Sequence, residues 1–165
     1  MKILVAVASK HGSTQEIAYA IQQSLKTDGL EAEVANVEDI GDLGNFDAFV
    51  LGSAIYGGKW LETAVEFAEK HAIKLGHQPT WLFSSGPVGR PLRPSKHPEV
   101  LEETVMNKIK PRDHHVFNGK INYKKLSPPE KLIARAVPGS EGDFRDWQAV
   151  KKWTGTIAHS LKTIA

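Results

Sequence analysis

Short apolar runs alternate along the chain with stretches in which apolar residues recur at helical spacing. Residues 3–8 and 46–54 are continuous apolar runs, which are typical of strands buried on both faces of a parallel sheet. Residues 30–37 alternate apolar and polar positions and predict a second strand between them. Two further short runs, at 79–86 and 114–121, predict a fourth and a fifth strand.

Helical periodicity fills most of the intervals between these strands. An apolar stripe runs from Ile17 to Leu25, and Gly29 stands where that helix would end in the left-handed conformation. Further helices are predicted at 61–75, 98–107 and 147–164. Asp143 is the predicted N-cap of the last helix.

This order of elements predicts an α/β fold, in which helices cover both faces of a five-stranded parallel sheet. No internal repeat, low-complexity segment or linker divides the 165 residues, so we expect one domain that spans 1–165. In an open sheet of this kind, ligands bind at the carboxyl ends of the strands. Functional residues are therefore expected just after the first, third and fourth strands.

The first loop, SKHGST at residues 9–14, combines hydroxyl side chains with a glycine. Ser9, Ser13 and Thr14 are hydroxyl donors, and Gly12 lets the backbone approach a bound group closely. A helix begins near Thr14 or Gln15, so its unpaired N–H groups and the positive end of its dipole point at the loop. These features predict a phosphate site. The alternative is an ordinary turn in which Ser13 or Thr14 caps the helix.

The second loop, GSAIYGGKW at 52–60, places two glycines beside Tyr56 and Trp60. This pattern predicts mobile backbone next to flat aromatic surfaces, although Trp60 alone could instead pack on the following helix. The third loop, SSGPVGR at 84–90, offers backbone donors and acceptors that could meet the edge of a ring. Together the three loops predict one ligand, with a phosphate at the first loop and a planar ring between the other two.

Composition removes several classes of function. The chain has no cysteine, which excludes disulfides, thiolate metal sites and cysteine nucleophiles. Its 21 Lys and Arg residues against 19 Asp and Glu residues give a net charge of +2, which does not describe a nucleic-acid-binding protein. No apolar run reaches the ~18 residues of a membrane span, so we expect a cytoplasmic protein.

Two further features are weaker signals. His114 and His115 would point to opposite faces of a strand, so no metal site is predicted there. The segment 108–135 is locally basic, and a solvated surface is the favoured interpretation. The alternative is docking of an acidic protein partner, of a small molecule that carries carboxylates or of an anionic membrane surface, with any peripheral contact at 120–142 on the inner face of the cell membrane. Both a monomer and a homodimer stay open.

The first loop resembles the phosphate loop of the flavodoxin-like family of FMN proteins. It matches that loop at Ser9, Gly12 and Thr14 and departs from it at Lys10 and His11. The second and third loops stand where the family has its two ring-binding loops. The stretches GSAIYGGKW, EFAEKHAIKL, FNGKINYKKLS and DFRDWQAVKKW, in that order, resemble more closely the quinone-dependent protoporphyrinogen dehydrogenases within this family.

The resemblance implies a flavodoxin-like three-layer sandwich with strand order 2-1-3-4-5 and bound FMN. It implies an FMN-dependent enzyme that oxidises a reduced organic substrate and passes electrons to a quinone-type acceptor. The alternative is a one-electron carrier between protein redox partners. The flavin itself would carry the chemistry, so no catalytic side chain is predicted. The predicted FMN-binding residues are Ser9, Lys10, His11, Gly12, Ser13, Thr14, Ser53, Ala54, Ile55, Tyr56, Gly57, Gly58, Trp60, Ser84, Ser85, Gly86, Pro87, Val88 and Gly89.

Overall fold

The computed structural model of the chain describes residues 1–86, 101–136 and 141–164. The strands are β1 (Lys2–Ala8), β2 (Glu31–Asn36), β3 (Ala48–Tyr56), β4 (Lys59–Trp60), β5 (Thr80–Ser85), β6 (His114–Phe117), β7 (Lys120–Ile121) and β8 (Gly142–Asp143). The helices are α1 (Ser13–Thr27), α2 (Glu62–His77), α3 (Glu103–Ile109), α4 (Pro128–Arg135) and α5 (Trp147–Ile164). Among these described residues, no helix is both long enough and apolar enough to cross a membrane.

The main sheet confirms the predicted topology. Five strands pair in parallel in the order β2–β1–β3–β5–β6. This is the predicted order 2-1-3-4-5 once the two-residue strand β4, which folds back antiparallel onto the end of β3, takes a number of its own. The carboxyl ends of β1, β3 and β5 therefore lie side by side.

Two hydrophobic clusters hold the helices against the sheet. Successive side chains of a strand point to opposite faces. The odd-numbered residues of β1, from Ile3 to Val7, accordingly pack with α1 and α5. The even-numbered residues, from Leu4 to Ala8, pack with α2 and α3. The result is the predicted three-layer sandwich.

The prediction of the fifth strand at 114–121 is wrong for its second half. β6 ends at Phe117, and residues 120–121 form β7, which pairs antiparallel with β8 in a separate small sheet. The intervening Asn118 and Gly119 are a turn-forming pair, which accounts for the break. This break directs the chain across the carboxyl end of the main sheet.

The ends of two helices also differ from the prediction. Asp146 caps α5, since its Oδ1 accepts hydrogen bonds from the N–H groups of Gln148 and Ala149 at 3.0 Å each. The prediction of Asp143 as the cap is wrong because Asp143 lies in β8 and pairs with Arg145. The helix predicted at 98–107 begins at Glu103, and its first three predicted residues lie outside the described residues.

Candidate functional site

A cavity of about 210 Å³ opens at the carboxyl edge of the sheet, where the three predicted loops meet. His11 and Thr14 of the first loop, Tyr56 of the second and Gly86 of the third all line it. Its remaining wall comes from the segment 119–134, which includes β7 and α4. Pro87, Val88 and Gly89, also predicted as ligand residues, lie outside the described residues.

The first loop enters α1 without a side-chain cap. Gly12 is the N-cap residue, its φ of 87° lies in the left-handed region, and its N–H donates to Ser9 Oγ at 3.1 Å. Within the part of the chain that the structure describes, no side chain caps this helix, so the alternative in which Ser13 or Thr14 is the cap is wrong. The N–H groups at the start of α1 have no carbonyl partner within the helix. They face the space that the loop encloses.

Thr14 has a buried hydroxyl that a bound ligand could satisfy. It is only 1% exposed and lines the cavity, and within the described residues its Oγ1 has no hydrogen-bond partner. Burying a hydroxyl without a partner costs about 1–3 kcal/mol. The hydroxyl and the neighbouring N–H groups together form a donor set suited to the oxygens of a phosphate. The residues present therefore fit the phosphate group of a nucleotide cofactor.

Lys10 and His11 of the first loop contact α4. Glu130 Oε1 accepts a hydrogen bond from Lys10 Nζ at 2.6 Å and lies 3.0 Å from His11 Nε2. Glu130 Oε2 accepts from the N–H and the hydroxyl of Ser127, at 2.8 and 2.7 Å. The Lys10 ammonium, followed by Ser127, holds the pKa of Glu130 well below its usual range. Glu130 is thus an ionised link between α4 and the first loop.

A second ionic cluster contacts the start of α1. Arg145 Nη1 donates to the carbonyl oxygen of Ser13 at 3.2 Å and to Glu16 Oε2 at 2.7 Å. Its Nε and Nη2 donate to the two carboxylate oxygens of Asp143 at 2.8 and 2.6 Å. This hydrogen bonding by Arg145 lowers the pKa of Asp143. Sequence reasoning did not identify Arg145, since no motif marks a contact that spans more than a hundred residues.

The second loop is mostly regular structure rather than a long mobile segment. Ser53, Ala54, Ile55 and Tyr56 belong to β3, and a two-residue turn connects them to β4. Both residues of that turn, Gly57–Gly58, have positive φ, at 58° and 81°. This is the conformation that tight hairpins need and that glycine adopts at little cost. Ala54, Ile55, Tyr56 and Gly57 line the cavity.

Trp60 lies in the core beneath the site. It is 5% exposed, packs in the same cluster as residues of α2, and donates through Nε1 to Ser84 Oγ at 2.8 Å. Ser84 Oγ also lies 2.7 Å from His114 Nε2. Ser53 is fully buried, and its hydroxyl accepts from the N–H of Leu61 at 3.0 Å. These three predicted residues support the strand ends and do not line the cavity.

Tyr56 is the aromatic side chain of the second loop that reaches the cavity. Its ring centroid is 6.4 Å from that of His11 and 5.6 Å from Lys10 Nζ. Partial burial raises the pKa of its phenol. Since 39% of Tyr56 is exposed, the ring offers a flat face at the mouth of the cavity.

The two neighbouring histidines of β6 lie on opposite sides of the sheet, as the strand geometry predicts. The ring of His114 meets Trp60 edge-on at 6.4 Å between centroids. The ring of His115 lies against Phe117 and Trp153 on the α5 side, at 4.5 and 5.8 Å. Within the described ranges, no three His, Asp or Glu side chains gather as a metal site would require.

Comparison with known proteins identifies the fold family. The family model named Flavodoxin domain matches residues 4–147 of the chain. The chain belongs to the flavodoxin-domain family. This flavodoxin-domain protein is 30% identical over 175 residues to the protoporphyrinogen IX dehydrogenase [quinone] of Escherichia coli K12, with 96% of each chain covered. The same identity and coverage hold for the protein of that name in Escherichia coli O157:H7.

Solved flavodoxin structures share the fold of this flavodoxin-domain protein. A flavodoxin from the domain Archaea superposes with a TM-score of 0.63 at 18% identity, covering 98% of this chain and 99% of that one. A flavodoxin from Streptococcus pneumonia TIGR4 superposes with a TM-score of 0.66 at 16% identity, covering 97% and 99%. At these identities the likeness concerns the fold alone.

Proposed function

We propose that the cavity binds FMN, with the phosphate in the first loop and the ring between Tyr56 and the residues that follow β5. The observation that carries this proposal is the buried hydroxyl of Thr14, which has no partner in the described part of the chain. A phosphate monoester brings about −1.5 to −2 charges and three acceptor oxygens. Those oxygens would satisfy both the hydroxyl and the N–H groups of α1. Membership of the flavodoxin-domain family supports the same ligand.

The ring position follows from what borders the cavity beyond the first loop. Tyr56 offers an aromatic face, and the turn at Gly57 and the backbone at Gly86 offer polar groups at a ring edge. The bound flavin would supply the redox chemistry. The side chains of the protein would bind it, orient it and restrict water at its faces.

We further propose that the protein is an oxidoreductase that oxidises a reduced organic substrate and passes the electrons to a quinone-type acceptor. The similarity to a dehydrogenase over nearly the whole chain supports this reaction. The wall formed by 119–134 supports it as well. Its apolar Leu126, Ile133 and Ala134, with Lys120 and Lys125 among them, provide a surface for an apolar molecule that carries anionic groups. The runner-up is a one-electron carrier, which the likeness to flavodoxin structures favours.

The outer face of α4 supports a peripheral contact with an anionic membrane surface, where a quinone would be available. Leu132 is 73% exposed, Ile133 at the rim of the cavity is 72% exposed, and Lys131 and Arg135 flank them in the same helix. Apolar side chains beside basic ones are the composition that interfacial helices use. Within the predicted contact segment, 120–142, residues 137–140 lie outside the described residues.

Replacing Thr14 with valine tests the phosphate position. We expect the wild-type apoprotein to quench FMN fluorescence on titration, and the Thr14→Val variant to bind FMN about tenfold more weakly, because the variant loses one hydrogen bond to a charged group. Riboflavin, which has no phosphate, should bind both proteins equally.

Thr27→Val is the matched control, since Thr27 lies at the opposite end of α1 and its hydroxyl bonds to the Gln23 carbonyl. It should leave both affinities unchanged. Absence of quenching by FMN at millimolar concentration would overturn the proposed cofactor. Equal losses for FMN and riboflavin would move the phosphate away from Thr14.

Turnover distinguishes the enzyme from the carrier. We expect a catalytic amount of the FMN-loaded protein, mixed anaerobically with excess protoporphyrinogen IX, to produce sustained porphyrin fluorescence only when a soluble quinone is present, because without an acceptor each bound flavin can be reduced only once. A potentiometric titration should then show a single two-electron step. Two separated one-electron steps, with no porphyrin formed, would favour the carrier and contradict the dehydrogenase.

A further inference from the structure

We propose that Arg145 is a positioning residue for the phosphate end of the FMN site, an inference that rests on the proposed cofactor. Its guanidinium is almost completely buried, with 3% of the side chain exposed. From there it donates to the Ser13 carbonyl, in the peptide unit that precedes Thr14. Buried charged groups are retained only when they are paired. Arg145 pairs with Glu16 and Asp143 beside the first turn of α1.

The contact with Ser13 fixes the direction of a donor on the first loop. The Ser13 carbonyl and the Thr14 N–H belong to one planar peptide unit and point in opposite directions. The Ser13 carbonyl also belongs to the first turn of α1, so Arg145 and the helix together hold the N–H in one direction. A cation at the carbonyl end polarises the unit as well, which strengthens the N–H as a donor. Arg145 thereby prepares the loop for an anion that it need not touch.

Two carboxylates keep Arg145 in this orientation. Asp143 holds the guanidinium at two points, and Glu16 holds Nη1 at 2.7 Å. The guanidinium also lies 4.6 Å from the centre of the Trp147 ring. Glu16 itself lines the cavity. Because Arg145 acts on a donor that faces the phosphate, its loss should weaken the binding of an anion and not that of a neutral ligand.

The test compares FMN with riboflavin in an Arg145→Met variant, which keeps the apolar stem of the side chain and removes the guanidinium. We expect the FMN affinity to fall roughly three- to tenfold, less than for a lost direct charged hydrogen bond, because Arg145 acts on the phosphate only through the Thr14 N–H. The riboflavin affinity should stay within about twofold of wild type on the same scale. Fluorescence quenching gives both constants.

Arg112→Met is the matched control. Arg112 also donates to a side chain, Ser160 Oγ at 2.9 Å, and also lies over an indole, Trp81 at 5.4 Å, but it is remote from the cavity. This control should change neither affinity. Arg145→Lys keeps a charge but lacks the planar fork that holds both Asp143 oxygens while Nη1 reaches Ser13 and Glu16. Its FMN affinity should lie between those of wild type and Arg145→Met. If Arg145→Met does not fold, Arg145→Lys serves as the test variant instead.

Three outcomes would overturn the proposal. The first is an unchanged FMN affinity in a folded Arg145 variant. The second is an equal loss of FMN and riboflavin affinity, which would indicate a merely structural role. The third is full recovery of FMN binding when Glu16→Gln and Asp143→Asn are added to Arg145→Met, which would reduce the role of Arg145 to charge balance. If wild-type protein binds neither ligand, the proposed cofactor fails instead, so the two failures are distinguishable.

Discussion

Replacing Trp153 with alanine is expected to lower the free energy of unfolding by about 3–5 kcal/mol, the range typical of removing a large buried aromatic side chain. The indole is 5% exposed and lies between α5 and the sheet. Its ring centroid is 5.5 Å from that of Phe117 and 6.3 Å from that of Phe83. Its Nε1 also donates to Asp113 Oδ2 at 2.6 Å. The variant loses this packing and leaves a cavity that the rigid sheet cannot fill.

Urea denaturation measures the effect, and Ile164→Ala provides a control in the same helix. Ile164 is 48% exposed near the end of α5, so its truncation should cost less than about 1 kcal/mol. Trp153→Phe should fall between the two, because it keeps a ring and loses the bond to Asp113. A loss below about 1 kcal/mol for Trp153→Ala would contradict the assignment of this residue to the core.

Substituting alanine for each of two helical glycines is expected to change stability in opposite directions. A Cβ at Gly76 in α2 would lie 2.1 Å from the backbone carbonyl oxygen of Lys108 in α3. The helices must separate to accept it, which should cost about 1–3 kcal/mol. A Cβ at Gly155 in α5 meets no atom within 4 Å. Gly155→Ala should therefore stabilise the protein by about 0.5–1 kcal/mol through helix propensity alone.

The same denaturation experiment checks both glycine variants. Since each substitution adds one methyl group to a helix, their difference isolates the contact between α2 and α3. If Gly76→Ala were as stabilising as Gly155→Ala, the close approach of these two helices would be refuted.

The fold could be predicted from the sequence because its strands are buried on both faces. The apolar runs that became β1 and β3 have no other stable placement than the centre of a sheet. The helix ends were harder, since Asp143 and Asp146 both precede α5 and both are good caps. Asp146 is the cap because α5 begins at Trp147 and because Asp143 is paired with Arg145. No local pattern contains these facts.

The site could be predicted only as far as its local chemistry. The hydroxyls and glycine of the first loop were predicted from the sequence, whereas Glu130 was not identified there. The contact of Glu130 with Lys10 and His11 is not visible, because it joins segments more than a hundred residues apart. The sequence left open whether Trp60 faces the ligand or packs on the following helix. The β3–β4 turn decides this, because it places Trp60 in the core beneath the edge of the sheet.

The ionic contact of Glu130 makes the first loop and α4 a matched pair. A chimera that received residues 119–136 of this chain but a first loop without Lys10 and His11 would leave the Glu130 carboxylate without those two partners. A chimera that received only the first loop would leave Lys10 and His11 without Glu130. Exchange between related proteins therefore preserves this contact only when both segments move together.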